Sequence, residues 1–185
     1  MRDLAVLTFL TLDGVMTLDG LSWSAKYFDD VMQQVNEEAM AQPFDLLFGR
    51  KTYETFAAYW PNAEKSAHSD KLNNSTKYVV TSSLSNLEWE NSIAISGDIP
   101  SEISRLKKEN GPLLQVHGSW QLIQTLLSNN LVDEFRLWIF PVVLGEGKRL
   151  FDQGAFSENL TLVKTGSTSN GVVMCIYRRT KFKAD

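Results

Sequence analysis

Apolar positions fall into two rhythms along this chain. Short runs rich in β-branched and aromatic residues occur at 4–11 (LAVLTFLT), 44–48 (FDLLF), 77–82 (KYVVTS), 92–96 (SIAIS), 112–117 (PLLQVH), 134–144 (EFRLWIFPVVL), 160–167 (LTLVKTGS) and 171–179 (GVVMCIYRR). Several are bounded by Gly, Asn or Pro, and all predict strands. The early ones are apolar nearly throughout, as in a central, mostly parallel sheet covered on both faces. Asn170-Gly171 between the last two runs is a hairpin signal. Between the strands, apolar residues recur at helical spacing. Residues 24–41 place Phe28, Val31, Met32, Val35 and Ala39 on one face, with Ser22 or Ser24 as the cap. Residues 50–59 group Tyr53, Phe56 and Ala57; 101–109 form a short charged helix; 119–129 turn Leu122, Ile123, Leu126 and Leu127 inward from Ser119. The expected architecture is a three-layer α/β/α domain over residues 1–185, with a mixed, mostly parallel sheet and a C-terminal antiparallel hairpin. The stretches 60–76 and 145–158 are read as loops, and neither has the composition of a domain linker.

Composition narrows the function classes. The chain has 185 residues, 43% of them hydrophobic and 22% charged, with a formal net charge of −4. That balance argues against a general nucleic-acid or membrane-surface binder, which needs a basic patch. Small anionic ligands require only local cations. The one cysteine, Cys175, sits in an apolar strand run and is expected to be a packed thiol, and a lone cysteine points to a reducing cytoplasm. No run approaches a membrane span, and two histidines with one scattered cysteine give no basis for a metal site.

Three motifs carry candidate chemistry. In "LLFGRKTYETF" (46–56) an apolar strand reaches Gly49 and opens a helix with Arg50, Lys51 and Thr52. A helix start offers free backbone N–H groups and a positive dipole end, which favour an anion. Two cations in a first turn oppose the dipole, and an anion between them relieves the conflict. The same residues also describe a plain glycine turn with solvated cations. In "VVTSSL" (79–84) a strand ends in Thr81, Ser82 and Ser83, hydroxyls suited to phosphate or ribose. In "LLQVHGSWQLIQTLL" (113–127) a strand again reaches a glycine, Gly118, with Ser119 at the helix start. His117 beside it reads as a turn or packing residue, or as a general acid. All three motifs lie at strand carboxyl ends, where open α/β sheets bind ligands. Further acids stand out in two places. Asp13-Gly14 and Asp19-Gly20 flank a loop that is either a pair of turns or a lid. Asp29 borders Phe28 and Met32 and is the better candidate for a partly buried acid, whereas Asp30 sides with Gln33, Gln34 and Glu37 toward water.

The motifs TLDG, LLFGRKTYETFAAYWP, KYVVTSSL, VHGSWQLIQTLL and LVDEFRLWIFPVVLGEGKRLF, in this order over residues 4–179, resemble the dihydrofolate reductase-like superfamily. Within it the chain is most similar to the C-terminal reductase domain of the riboflavin-biosynthesis deaminase-reductase. The resemblance implies an NADPH site built from Gly49, Arg50, Lys51, Thr52, Thr81, Ser82, Ser83, His117, Gly118, Ser119 and Trp120, with a glycine-rich turn at 117–120 that in the family often holds a cis peptide. It implies Asp29 as the acid that binds or protonates substrate, and Asp13, Tyr53 and Phe56 as residues bordering the substrate. The implied activity is NADPH-dependent reduction of a small heterocyclic or sugar-like substrate, foremost 5-amino-6-(5-phosphoribosylamino)uracil. Dihydrofolate reductase-like activity and a non-catalytic NADP(H)-binding dimer are the alternatives. A homodimer through the aromatic strand carrying Phe135, Trp138 and Phe140 is weighed against simple core packing of that strand.

Overall fold

The computed structural model describes residues 1–17, 23–29, 32, 34, 37, 40–83, 87–152 and 158–180. Expectations for Asp19-Gly20, Ser22, Asp30, Val31, Gln33, Val35 and Ala39 lie outside the described residues. In chain order the elements are β1 (Leu4–Thr11), β2 (Val15–Thr17), β3 (Phe44–Gly49), α1 (Arg50–Tyr59), α2 (Ala67–Asn74), β4 (Lys77–Val80) and β5 (Ser92–Ile95). They continue with α3 (Ile99–Lys108), β6 (Leu113–Gly118), α4 (Trp120–Ser128), β7 (Glu134–Phe140), β8 (Lys148–Arg149), β9 (Leu160–Ser167) and β10 (Val173–Arg179).

Eight strands form one sheet in the order β5-β4-β3-β6-β1-β7-β10-β9, and β2 pairs with β8 apart from it. From β5 to β7 every pairing is parallel. Strand β10 runs antiparallel to β7 and to β9. The hairpin between β9 and β10 closes where the sequence predicts, with Gly171 at φ +88°, the left-handed region glycine enters freely.

Strand alternation splits the core into two layers. On one face Leu4, Val6, Leu114, Val116, Phe135 and Leu137 pack with Ile103 and Leu106 of α3 and Leu122, Ile123, Leu126 and Leu127 of α4. On the other, Leu7, Leu46, Phe48, Trp138 and Phe140 pack with Tyr53 of α1 and Leu72 of α2. Each fully buried Leu or Phe of this kind contributes roughly 1.5–3 kcal/mol of transfer free energy. Cys175 is buried, its thiol 3.9 Å from Thr165 Oγ1.

Four expectations are corrected. The run 134–144 stops at Phe140, because Pro141 has no N–H to continue the ladder and Val142 folds back onto the Phe140 carbonyl. The stretch 60–76 contains α2, whose start is a capping box between Ser66 and Ser69. The helix expected from residue 24 begins instead with one 3₁₀ turn, Ala25–Tyr27, and Phe28 is extended, so Ser24 caps no α-helix. The aromatic strand lies inside the sheet between β1 and β10, with Phe135, Trp138 and Phe140 fully buried, so it cannot pair between subunits.

Candidate active site

Strands β3 and β6 are parallel neighbours, so their carboxyl ends leave the sheet side by side. Each ends in a glycine that opens a helix: Gly49 before α1 and Gly118, with Ser119, before α4. The two turns interlock. A Cβ on Gly49 would overlap the Ser119 hydroxyl, and one on Gly118 would stand 2.7 Å from Thr52 Oγ1. Only glycine permits this approach, and it aims two helix starts at one place. The peptide between Gly118 and Ser119 is cis, in the turn where the resemblance implies such a bond.

Neither helix start is capped by a side chain, and neither carries an acid in its first turn. Their orphan N–H groups and dipole ends therefore point at a cleft of about 880 Å³. That volume lies in the range of ligand clefts, roughly 300–1,000 Å³. The cleft wall gathers Gly49, Arg50, Lys51, Thr52, Thr81, Ser82, Ser83, His117, Gly118, Ser119 and Trp120, together with Phe56. Arg50 makes only a long 3.4 Å contact with Glu54, and both side chains are nearly half exposed. Such a pair is worth a few tenths of a kcal/mol, so the guanidinium is available to an anion. Beyond the end of β4, the Ser83 N–H donates to Thr81 Oγ1 at 3.2 Å, which curls this hydroxyl stretch against the cleft.

Further lining residues come from elements too short to announce themselves. Met16 and Thr17 of β2 and Lys148 of β8 line the cleft, as do Ser96 and Gly97 after β5. The β2–β8 pair is fastened to α4: Trp120 Nε1 donates to the Arg149 carbonyl at 2.7 Å and Gln124 Nε2 to the Leu150 carbonyl at 2.9 Å. The helix start at Ser119 offered a signal for Trp120. For Lys148 the only signal was the cation after Gly145-x-Gly147.

His117 extends from β6 toward the face covered by α1, against the rings of Phe48 and Phe56. Burial pushes its pKa down to about 3, and His68 and Arg136 nearby act in the same direction. The imidazole is neutral at pH 7 and cannot serve there as a general acid.

Three expected residues stand elsewhere. Asp13 does not line the cleft. Its carboxylate accepts from Thr11 Oγ1 at 2.6 Å and from the Gly145 N–H at 2.9 Å, so it ties the end of β1 to the loop before β8. These bonds, led by Thr11, hold its pKa at about 2. Tyr53 is buried in the core, where its hydroxyl accepts from the Trp89 N–H at 3.1 Å. Asp29 is exposed, not partly buried. It accepts from the Met32 N–H at 2.8 Å and from Asn170 Nδ2 at 2.9 Å, which makes it an anchor for the β9–β10 hairpin. Around it Phe28 and Tyr27 pack on Phe140, and Phe28 also on Phe9.

Known proteins resemble this chain in sequence and in fold. The Bacillus subtilis (strain 168) protein YyaP is 34% identical over 183 residues, covering 91% of this chain and 93% of its own. A putative riboflavin biosynthesis protein from Shewanella sp. PV-4 superposes with a TM-score of 0.65 at 17% identity, covering 98% of this chain and 100% of its own. Dihydrofolate reductase from Enterococcus faecalis, solved with NADP(H), superposes with a TM-score of 0.64 at 16% identity over 97% of each chain. Those two likenesses show the fold, a dihydrofolate reductase-like α/β/α sandwich. Residues 2–174 match the RibD C-terminal domain, and the chain belongs to that family.

Proposed function

We propose that this protein is an NADPH-dependent reductase that transfers a hydride to a C=N or C=O of a small heterocyclic substrate. The observation that carries the reading is the interlocked pair of helix starts at Gly49 and Ser119. Two sets of N–H groups without side-chain caps, plus Arg50 and Lys51, converge on one cleft large enough for a dinucleotide. A diphosphate fits the space between the two dipole ends. Arg50, Lys51 and the Thr81–Ser83 hydroxyls suit an additional phosphate on the adenosine ribose, which would favour NADPH over NADH. When bound, the nicotinamide supplies the reducing equivalent, and the chain supplies position and electrostatics.

The cleft also bears on the substrate. Among the described residues no carboxylate lines it, and its charged lining residues are Arg50, Lys51 and Lys148. A cationic cleft without acids favours a phosphorylated substrate over a pterin held by a carboxylate. Reduction of a 5-amino-6-(5-phosphoribosylamino)uracil-like compound is therefore the leading activity, and folate-like reduction the second. With Asp29 held by Asn170, the proton comes from water. The lack of a described acid in the cleft equally favours one rival, a dinucleotide-binding protein without turnover. A homodimer also belongs to this proposal. Its candidate surface is the sheet edge β9, where Leu162 and Val163 are 49% and 55% exposed.

Titration with NADPH and NADH, read by quenching of the five tryptophans, tests the reading. Tight NADPH binding with a weaker NADH response supports it. Folded protein that binds neither sinks it. Bound NADPH that no phosphorylated aminopyrimidine oxidises would favour the rival.

A further inference from the structure

A chain of polar side chains crosses the sheet from β7 to β6 and ends at the cleft. At its outer end the Glu134 carboxylate accepts from Arg178 Nε at 2.7 Å and from Arg136 Nε at 2.6 Å. Arg136 Nη1 then donates to Gln115 Oε1 at 3.2 Å, and Gln115 Nε2 lies 2.9 Å from His117 Nε2. Strand β1 runs between β6 and β7, and Ala5 is in register with both Gln115 and Glu134. A residue that small lets the Arg136 side chain reach across β1. Glu134, Arg136 and Gln115 are all buried.

The donor and acceptor roles follow from chemistry alone. A guanidinium has no acceptor, so the Gln115 atom facing Arg136 is the oxygen. The amide nitrogen therefore faces His117, and it can only donate. His117 Nε2 must accept and carries a lone pair, so the ring proton is on Nδ1. An imidazolium would set two donors against each other in a buried place, at a full desolvation cost. Among the described residues Nδ1 has no hydrogen-bond partner, and His117 lines the cleft beside Phe56.

The geometry points to His117 as a binding residue: a neutral donor whose tautomer is held by Gln115 and Arg136, and whose Nδ1–H meets a carbonyl-type oxygen of the ligand. Gln115 and Arg136 are positioning residues. Two sources present such an oxygen, the carboxamide of a nicotinamide and the ring carbonyl of a uracil-like substrate. This ligand half deepens the reductase reading and rests on it; the tautomer half stands without it.

The test is a long-range ¹H–¹⁵N correlation spectrum of histidine-labelled protein at pH 7. The chain has two histidines, and a His68→Gln sample assigns them. In the free protein His117 should be protonated at Nδ1 and bare at Nε2. In Gln115→Glu the new carboxylate can only accept, so Nε2 should become protonated. A bare Nδ1 in the parent protein, or a bare Nε2 in Gln115→Glu, overturns the tautomer lock; the parent spectrum decides even if the variant does not fold. NADP⁺ is then added, followed by 5,6-diaminouracil. A shift of the Nδ1 resonance on NADP⁺ alone assigns the carboxamide, and a shift only with both assigns the substrate carbonyl. His117→Phe should weaken the responsible probe by about tenfold. Quenched tryptophans with an unmoved Nδ1 for both probes overturn the donor role. Failure of NADP⁺ to bind sinks the reductase reading and leaves the tautomer assignment in place.

Discussion

Helix α2 and the pair α1 and α4 begin in opposite ways. At α2 the Ser66 side chain accepts from the Ser69 N–H, and the Ser69 side chain accepts in turn from the Ser66 N–H. At α1 and α4 the cap positions are Gly49 and Ser119, and neither side chain satisfies a backbone donor. Helix α2 lies away from the cleft, whereas α1 and α4 open onto it. The chain thus closes a helix start where only stability is at stake. It leaves two open where their N–H groups face a cavity with cations beside them. An open start costs stability in the free protein, and a bound anion returns it. The difference between the two regions is what an anion site at the α1 and α4 starts would add to the fold.

The largest break comes from Gly49→Ala. Its φ of −79° suits any residue, so the effect is purely steric: the new Cβ overlaps the Ser119 hydroxyl and pries the two turns apart. Overpacking of this kind costs about 1–3 kcal/mol. Displaced helix starts should also lower dinucleotide affinity, because the backbone donors of both turns move at once. Thermal unfolding and the NADPH titration measure the two losses. A variant that keeps full affinity would show that the interlock does not build the site.

Arg50→Ala sharpens the contrast from the charge side. Its pair with Glu54 is long and exposed, so stability should barely move. NADPH affinity should fall about 10- to 100-fold, the value of a charge-assisted hydrogen bond near 1.5–3 kcal/mol, and NADH affinity much less. Equal losses for both nucleotides would place the guanidinium on the diphosphate rather than on the extra phosphate.

The contrast was half legible in the sequence. The open starts were, because each is a local pattern of apolar strand, glycine and helix. The strands were legible too, since their runs are short and β-rich. Helix α2 was not: AHSDKLNN has no apolar stripe and buries only Ser69 and Leu72, so its one signal was the serine spacing 66 to 69. Strands β2 and β8 are short and pair across most of the chain, so Met16, Thr17 and Lys148 could be placed in the cleft only by tertiary structure. Asp29 misled for the same reason. Its type suggests an acid in the site, and its partner Asn170 is distant in sequence. Gln115 drew no notice because its role comes from Arg136, two strands away.

Ser66→Ala is the converse experiment. It removes the acceptor that satisfies the Ser69 N–H and should cost about 1 kcal/mol, with no change in NADPH affinity. Chemical denaturation and the same titration check it. A drop in affinity would mean that α2 communicates with the cleft through the aromatic and histidine contacts along Phe56, Trp60 and His68.

The smallest effect concerns Asp13, an acid that pins the cleft's far wall. Asp13 holds the loop before β8, and its bonds from Thr11, Gly145 and Leu144 lower its pKa from 3.8 to about 2. A lowered carboxylate pKa means that the unfolded chain binds more protons than the folded one between those two values. Its contribution is therefore complete above about pH 4 and is lost as pH falls through 2. Asp13→Asn should reduce stability modestly at neutral pH and flatten its dependence on pH between 4 and 2. Denaturation curves across that interval give the slope. Because Arg149 and the Trp120 contact lie on the same short strand pair, the variant should also loosen Lys148, raising the NADPH dissociation constant by less than Arg50→Ala does. A larger rise than that would move the main phosphate contact from the α1 start to the β2–β8 wall.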